Sequence, residues 1–284
     1  QLMSQSKLIL IGESGSTKTD WVLISDSKQS KLTTSGLNPF IVDSEAVFKT
    51  ISENDFFNAS KDQEITIHFY GAGCSTPNRK KTIADGLGNY FSKAEINIYH
   101  DIEAAVNSTC KDKPGIVGII GTGSNCVYFD GKTIQYGHPS PGYLIGDEGA
   151  GSSIGKILIR DILYEIAPSD ILSSFRETYK LTPAQLIDEV YNAPQPNSYI
   201  ASYVQFLGKH AQHHYTEDLI HRCFSKFVKF HVVQFPEAAE APLHLVGSIA
   251  FHFEHIINDV LDEWKIEKGQ ILKSPLEGLL DFHK

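Results

Sequence analysis

The feature that most constrains this chain is an opening that occurs twice. A short apolar run, Lys7 to Ile11, is followed by a Gly/Ser/Thr-rich turn and a second run, Trp21 to Ile24, and after Asp26-Ser27-Lys28 by a third, Ser30 to Thr34. From residue 115 the pattern restarts. Gly115 to Ile120 and Asn125 to Phe129 flank Gly121-Thr122-Gly123-Ser124, and Asp130-Gly131 turns the chain into Thr133 to Tyr136. Apolar, β-branched runs bounded by turn formers read as strands, and Asp-Gly between two of them is a hairpin signal. Helices are expected at Ser44 to Ser52, from Pro77 (proline being favoured in a first turn) and at Asp101 to Thr109, with strands at Ile65 to Tyr70 and Ile96 to Tyr99. In the second half the spacing is helical from Ser152 to Tyr191, breaks at the proline-rich Asn192 to Asn197, and resumes near Tyr199 to His210 and Thr216 to Phe235. Leu243 to Val246 reads as a strand, Ile249 to Trp264 and Pro275 to His283 as helices. Alternating strands and helices predict an α/β layer structure. We place a boundary near His100, giving a smaller domain over 1–100 and a larger one over 101–284, with the last helix free to pack back on the first domain.

Composition excludes several classes of function. The 284 residues are 41% hydrophobic and 21% charged, which suits two ordinary globular domains. The net charge of −9 is the wrong sign for gripping a phosphate backbone, so nucleic acid is not expected as a partner. Leu8 to Ile11 and Ile116 to Ile120 fall far short of the ~18 to 20 apolar residues of a membrane helix. Met3 is the only methionine, so Gln1 and Leu2 read as a cloning remnant, with no secretory segment after them and a cytoplasmic location expected. Cys74, Cys110, Cys126 and Cys223 are widely spaced, which suggests reduced, buried thiols rather than a zinc ribbon or disulfides. The oligomeric state is not fixed, and a homodimer is left open.

Gly12-Glu13-Ser14-Gly15-Ser16-Thr17-Lys18-Thr19 nearly fits a Walker A loop, but Thr17 stands where its second glycine belongs and the following Asp20-Trp21-Val22-Leu23-Ile24 reads as a strand, not a helix. It can be a phosphate-contacting hairpin, in which small residues bring backbone N–H groups to an anion, Thr17 adds a hydroxyl, Lys18 a charge, and Glu13 holds hydrated Mg²⁺. It can equally be a plain surface turn. Gly121-Thr122-Gly123-Ser124 repeats the design, and two such turns facing one another across a cleft would clamp a polyphosphate from both sides. Asp101, in His100-Asp101-Ile102-Glu103, can accept a hydroxyl proton or merely cap a helix. Asp147 and Glu148 lie in the glycine-rich Gly142 to Gly151, where either can hydrogen-bond a polyol or serve as a dipole-favoured cap. Gly247-Ser248 after a strand suits a flat nucleoside or an ordinary strand–helix junction.

Glu13 to Thr19, Gly121-Thr122-Gly123-Ser124-Asn125, Gly146-Asp147-Glu148-Gly149 and Gly247-Ser248-Ile249-Ala250 occur in the order of, and the chain resembles over nearly its whole length, the N-acetylglucosamine kinase-like branch of the sugar kinase, actin and heat-shock ATPase superfamily. The resemblance implies two ribonuclease-H-like (actin-like ATPase) domains around a central cleft, ATP with Mg²⁺, and phosphoryl transfer to an amino-sugar hydroxyl. It implies phosphate contacts at Ser16, Thr17, Thr122 and Gly123, in turns that also hold Ser14, Gly15, Lys18, Gly121 and Ser124. It further implies an adenosine turn at Gly247 and Ser248, Asp101 as general base, and sugar contacts from Asn38, Gly142, Gly146, Asp147 and Glu148. Glu13 departs from the aspartate more usual at that position. Glu103 is a rival base in sequence, expected to face away.

The expected activity is phosphorylation of N-acetylglucosamine or N-acetylmuramic acid. The alternatives are an ATPase that activates a redox partner through an iron–sulfur cluster and a sugar-sensing module without turnover. His210 and His214 would share a helical face if the helix continued through them, but they lack the glutamate of a zinc-protease motif. Arg79-Lys80-Lys81 reads as a solvated face, and Phe224 to Phe235 as core.

Overall fold

The computed structural model describes residues 8–15, 17–26 and 28–283. Lys7, Ser27, the expected phosphate contact Ser16 and the chain start around Met3 lie outside the described residues. The chain divides into two compact units, Gln1–Ser108 with Pro275–Lys284, and Thr109–Ser274.

The first unit is built on β1 (Leu8–Ser14), β2 (Lys18–Ser25), β3 (Lys28–Ser35), β4 (Ile65–Gly71) and β5 (Ala94–His100), in the order β3-β2-β1-β4-β5. β1, β2 and β3 are antiparallel, whereas β4 runs parallel to β1 and β5 to β4. Strand alternation sorts the side chains onto two faces. Leu8, Leu10, Trp21, Ile67 and Phe69 pack beneath α1 (Ser44–Ser52), a 3₁₀ turn at Asp55–Ser60 and α2 (Pro77–Gly88). Ile11, Val22, Ile24 and Tyr70 face α3 (Asp101–Thr109) and the chain's final helix through Ala104, Leu279 and Leu280. Each large apolar side chain so buried contributes about 1.5–3 kcal/mol. Glu13 lies two residues beyond Ile11, on this second face, and opposite Asp20 of β2.

The second unit repeats the plan. Its strands are β6 (Gly115–Ile120), β7 (Ser124–Phe129), β8 (Ile134–Tyr136), β9 (Leu243–Val246) and β10 (Lys268–Leu272), in the order β10-β9-β6-β7-β8. Again three antiparallel strands are extended by two parallel ones. Both sheets are mixed and share one connectivity, which gives the duplicated α/β architecture of the actin-like ATPase fold. Between β8 and β9 the chain builds a helical layer from α4 (Gly151–Leu163), α5 (Ser169–Tyr179), α6 (Pro183–Asn192), α7 (Pro196–Ser202), α8 (Val204–Lys209) and α9 (His214–Phe227), with its own core.

Two sequence expectations are corrected here. The helix expected over Thr216 to Phe235 ends at Phe227 and passes into a π-helical turn, Val228–Val232. The helix expected over Ile249 to Trp264 is two, α10 (Ser248–His252) and α11 (Glu254–Trp264), separated at Phe253. β10 was not anticipated. The chain ends in α12 (Leu276–Phe282). Among the described residues no helix is long and apolar enough to cross a membrane.

Candidate active site

In the first unit, Gly15 N–H donates to the Lys18 carbonyl at 2.9 Å, closing the β1–β2 hairpin. Ser14 is only 1% exposed, and its hydroxyl shares a 2.7 Å hydrogen bond with Thr19 Oγ1 and accepts the Leu37 N–H at 2.9 Å. The Ser14 carbonyl accepts the Ala72 N–H at 2.9 Å, and the Thr17 carbonyl accepts the Gly36 N–H at 3.0 Å. Ser14 is thus the knot joining the hairpin to the loops that follow β3 and β4. The hydroxyl is spent inside the protein and shapes the turn. Among the described residues of the turn, Thr17 and Lys18 are exposed.

Three carboxylates gather on the sheet face below that turn. Asp20 accepts hydrogen bonds from Lys18 Nζ at 2.6 Å and Thr33 Oγ1 at 2.7 Å. Burial works to raise its pKa, but those two donors outweigh it and hold the group below the ordinary value. Glu13 receives no such help, because among the described residues no hydrogen bond reaches its carboxylate. Burial first, then the charge of Asp20, with Asp101 adding and Lys18 opposing, raises it from 4.5 to about 7.

Asp101 is the first residue of α3, and its Oδ1 is closed to solvent although 34% of the side chain is exposed. His100 Nε2 lies 3.0 Å from that oxygen. Burial pushes the Asp101 carboxyl up, against the opposing pull of His100 and the Ile102 N–H. Glu103 is occupied otherwise. Its Oε2 reaches back to accept the His100 N–H at 2.6 Å, as in a capping box, and pairs with Lys80 Nζ at 3.3 Å. The expected solvated run is corrected accordingly: Lys80 holds Glu103, and the Arg79 guanidinium lies 3.6 Å from the centre of the Phe40 ring.

Asn38 is buried in the loop after β3, and its Oδ1 accepts the Phe40 N–H at 3.0 Å. A Cβ on Gly73, where φ is +82°, would stand 2.3 Å from that oxygen. Gly73 therefore permits the loop contact that holds Asn38. Sequence reasoning passed it over, although Gly71-Ala72-Gly73 directly after a strand is a signal of close backbone approach.

In the second unit the Gly121–Ser124 turn is tied to the start of α4. Gly151 N–H donates to the Gly121 carbonyl at 2.8 Å and Ser152 N–H to the Thr122 carbonyl at 3.0 Å. Asp147, at φ +56°, turns its carboxylate against the same bend, where Oδ1 accepts the Ser124 N–H at 3.2 Å and the Ser140 hydroxyl at 3.4 Å. Burial raises its pKa, opposed by those two donors. A Cβ on Gly123 would lie 2.9 Å from Asp147 Oδ2, so a side chain there would push that carboxylate off the bend. The Ser124 and Ser152 hydroxyls are buried and, among the described residues, without a hydrogen-bond partner. Gly247, at φ +136°, approaches the far side of the bend so closely that a Cβ would meet the Ile120 carbonyl oxygen at 2.1 Å. Exposed Ser248 follows it and opens α10. This unit therefore joins the second small-residue turn, Asp147 and the Gly247 turn in one cluster.

Gly142, at φ +77°, accepts the Gly146 N–H at 2.7 Å, closing the loop ahead of Asp147. Glu148 Oε2 lies 2.8 Å from His231 Nε2, a partner that sequence reasoning missed by reading the run around it as core. His210 and His213 are engaged by Ser174 and Asp170 at 3.0 Å each. Among the described residues no group of three or more His, Cys, Asp or Glu side chains is placed to hold a metal ion.

A Porphyromonas gingivalis structure described as a "Putative N-acetylglucosamine Kinase" is 33% identical to this chain over 97% of it and 98% of the other, with a TM-score of 0.90. A Chromobacterium violaceum structure of the same description is 16% identical over 99% and 100% of the two chains, with a TM-score of 0.71. A ROK-family glucokinase from Streptomyces griseus, solved with glucose and AMPPNP, is 12% identical over 97% of each chain, with a TM-score of 0.54. The last two show likeness of fold alone. No protein-family model and no curated protein matches the sequence.

Proposed function

The chain belongs to the N-acetylglucosamine kinase-like family of the sugar kinase, actin and heat-shock ATPase superfamily, and on that premise we propose that it transfers the γ-phosphoryl group of ATP to a hydroxyl of an N-acetylated amino sugar. N-acetylglucosamine is the first candidate and N-acetylmuramic acid the second. The observation that carries the reading is the division of labour at the start of α3. Glu103 is committed to the helix cap and Lys80, whereas Asp101 has a carboxyl raised by burial and, beside its closed oxygen, His100 Nε2. A carboxylate of raised pKa is the better acceptor for the proton of an attacking hydroxyl.

The remaining roles follow the chemistry of each group. Backbone N–H groups of the two small-residue turns, with the Thr17 and Thr122 hydroxyls and Lys18, contact the phosphates. The buried, unpartnered Ser124 hydroxyl suits an acceptor oxygen at the second turn. Gly247 and Ser248 border the adenosine. We assign Asn38, Gly142, Gly146, Asp147 and Glu148 to the sugar. Glu13 fits a Mg²⁺ ion, because a buried carboxylate with no donor of its own, raised to about 7 beside two other acids, is relieved by a divalent cation. Mg²⁺ bound through water by one or two carboxylates is the common arrangement at phosphate sites, where it neutralises charge on the phosphoryl oxygens.

An ADP-release assay over N-acetylglucosamine, N-acetylmuramic acid, glucosamine and plain hexoses tests the proposal. Turnover only with an acetamido sugar is expected. Equal turnover of glucose and N-acetylglucosamine would overturn the substrate class, and tight sugar binding without ADP would establish the sensing module instead. The redox alternative finds little support. All four cysteines are buried, and among the described residues no group of three or more His, Cys, Asp or Glu side chains is placed to hold a metal.

A further inference from the structure

The loop Gly137 to Ala150 is fastened to a single short stretch of chain near both its ends. At the leading end, His138 N–H donates to Gln234 Oε1 at 2.6 Å, and Gln234 Nε2 in turn donates to the His231 carbonyl at 2.8 Å. At the trailing end, Glu148 meets His231 Nε2 at 2.8 Å. Lys156 of α4 adds a third tie, to the Tyr143 carbonyl. Gly149 backs directly onto Phe227, whose ring stacks on His231 with centroids 5.2 Å apart. His231 is 7% exposed and lies in the π-helical turn that ends α9. Such a turn inserts one residue into the helical register, so side chains after it are redirected, and π turns recur at functional sites.

We propose that His231 is a positioning residue for the acceptor sugar, its imidazole fixing the Glu148 carboxylate in the orientation that binds a sugar hydroxyl; this rests on the reading of Glu148 as a sugar ligand. A glutamate has three rotatable bonds, and one buried donor at a fixed place selects among its rotamers before the sugar arrives. Neither the phosphate turns nor Asp101 shares this contact, so its loss falls on sugar affinity.

The test is steady-state kinetics with N-acetylglucosamine and ATP varied separately. His231→Leu should raise KM for the sugar by about tenfold to a hundredfold, the worth of a hydrogen bond to a charged group, with KM for ATP unchanged. His231→Gln, whose amide nitrogen reaches the position of Nε2, should restore sugar KM to within about threefold of wild type. His231→Asn, whose amide falls short, should not. The Gln and Asn pair decides the matter if His231→Leu does not fold. In a Glu148→Gln background His231→Leu should add little, since the contact is already altered. An unchanged sugar KM in His231→Leu and His231→Asn, an equal rise in the KM for ATP, or full additivity with Glu148→Gln would overturn the proposal while leaving the kinase reading intact. A wild-type enzyme that turns over none of the sugars would instead remove that reading, and the role of His231 with it.

Discussion

Replacing Glu13 by glutamine should make the first unit more stable at alkaline pH. Burial and the neighbouring charges raise the Glu13 carboxyl from 4.5 in the unfolded chain to about 7 in the fold. Below pH 4.5 the group is protonated in both states, and glutamine is a fair mimic of it. As pH rises through 7 the folded chain must hold a charge it disfavours, so stability present in acid is lost between about pH 4.5 and 7. At 1.36 kcal/mol per pKa unit that loss is about 3 kcal/mol. Glu13→Gln escapes it, and should exceed wild type by up to about 3 kcal/mol at pH 8.5 while matching it near pH 4.5. The chain offers its own reporter, since Trp21 is fully buried in the first unit on the strand beside Gly12 and Glu13. The only other tryptophan is Trp264, so urea unfolding followed by fluorescence in a Trp264→Phe background reads this unit alone. Added Mg²⁺ should stabilise wild type at pH 8.5 and leave Glu13→Gln unmoved, and the variant should lose turnover as it gains stability. A stability difference that does not vary between pH 4.5 and 8.5 would refute the argument, because it would mean the carboxylate is not desolvated.

Asp101→Asn should lower kcat by about 10²- to 10⁴-fold with nucleotide affinity retained, whereas Glu103→Gln should keep most of its activity; comparable losses in both would unseat Asp101 as the base. Because burial raises the Asp101 carboxyl, the acid limb of the kcat/KM profile should lie above the ordinary carboxylate range, with activity falling as pH drops through it; a limb at the ordinary value would contradict the burial. Gly247→Ala should push the Gly247 turn off the Ile120 carbonyl, costing about 1–3 kcal/mol of stability and weakening ATP binding more than sugar binding, as calorimetry would show; unaltered nucleotide affinity would refute the adenosine assignment.

What the sequence revealed and what it withheld follow one physical division. The strand openings were legible because a hairpin is specified within a few residues by side-chain alternation and by the turn itself. Gly115 to Ile120 and Asp101 to Thr109 came out with the bounds the structure has. β10 was hidden because Lys268-Gly269-Gln270-Ile271-Leu272 carries almost no pattern of its own; it is a strand because β9 lies beside it to pair with. The π turn was hidden for the opposite reason, since the apolar period runs on through Val228 and Val232 and nothing local announces the extra residue. At the candidate site the same division separates residue from role. Asp101 and Glu103 are both carboxylates two residues apart, and the expectation that Glu103 faces away gains its physical content only from the His100 N–H and Lys80, which engage Glu103 and not Asp101. His231 could not be read at all, its partner lying 83 residues away in sequence. Charge state is the least local property of the three. The rise of Glu13 needs the β-sheet face that buries it, Asp20 across the ladder, and Asp101 from the start of α3 at once. The same Gly-Glu-Ser hairpin with its glutamate on an open face would carry an ordinary carboxylate, so the candidate metal chemistry belongs to the packing of α3 on that sheet as much as to the residue itself.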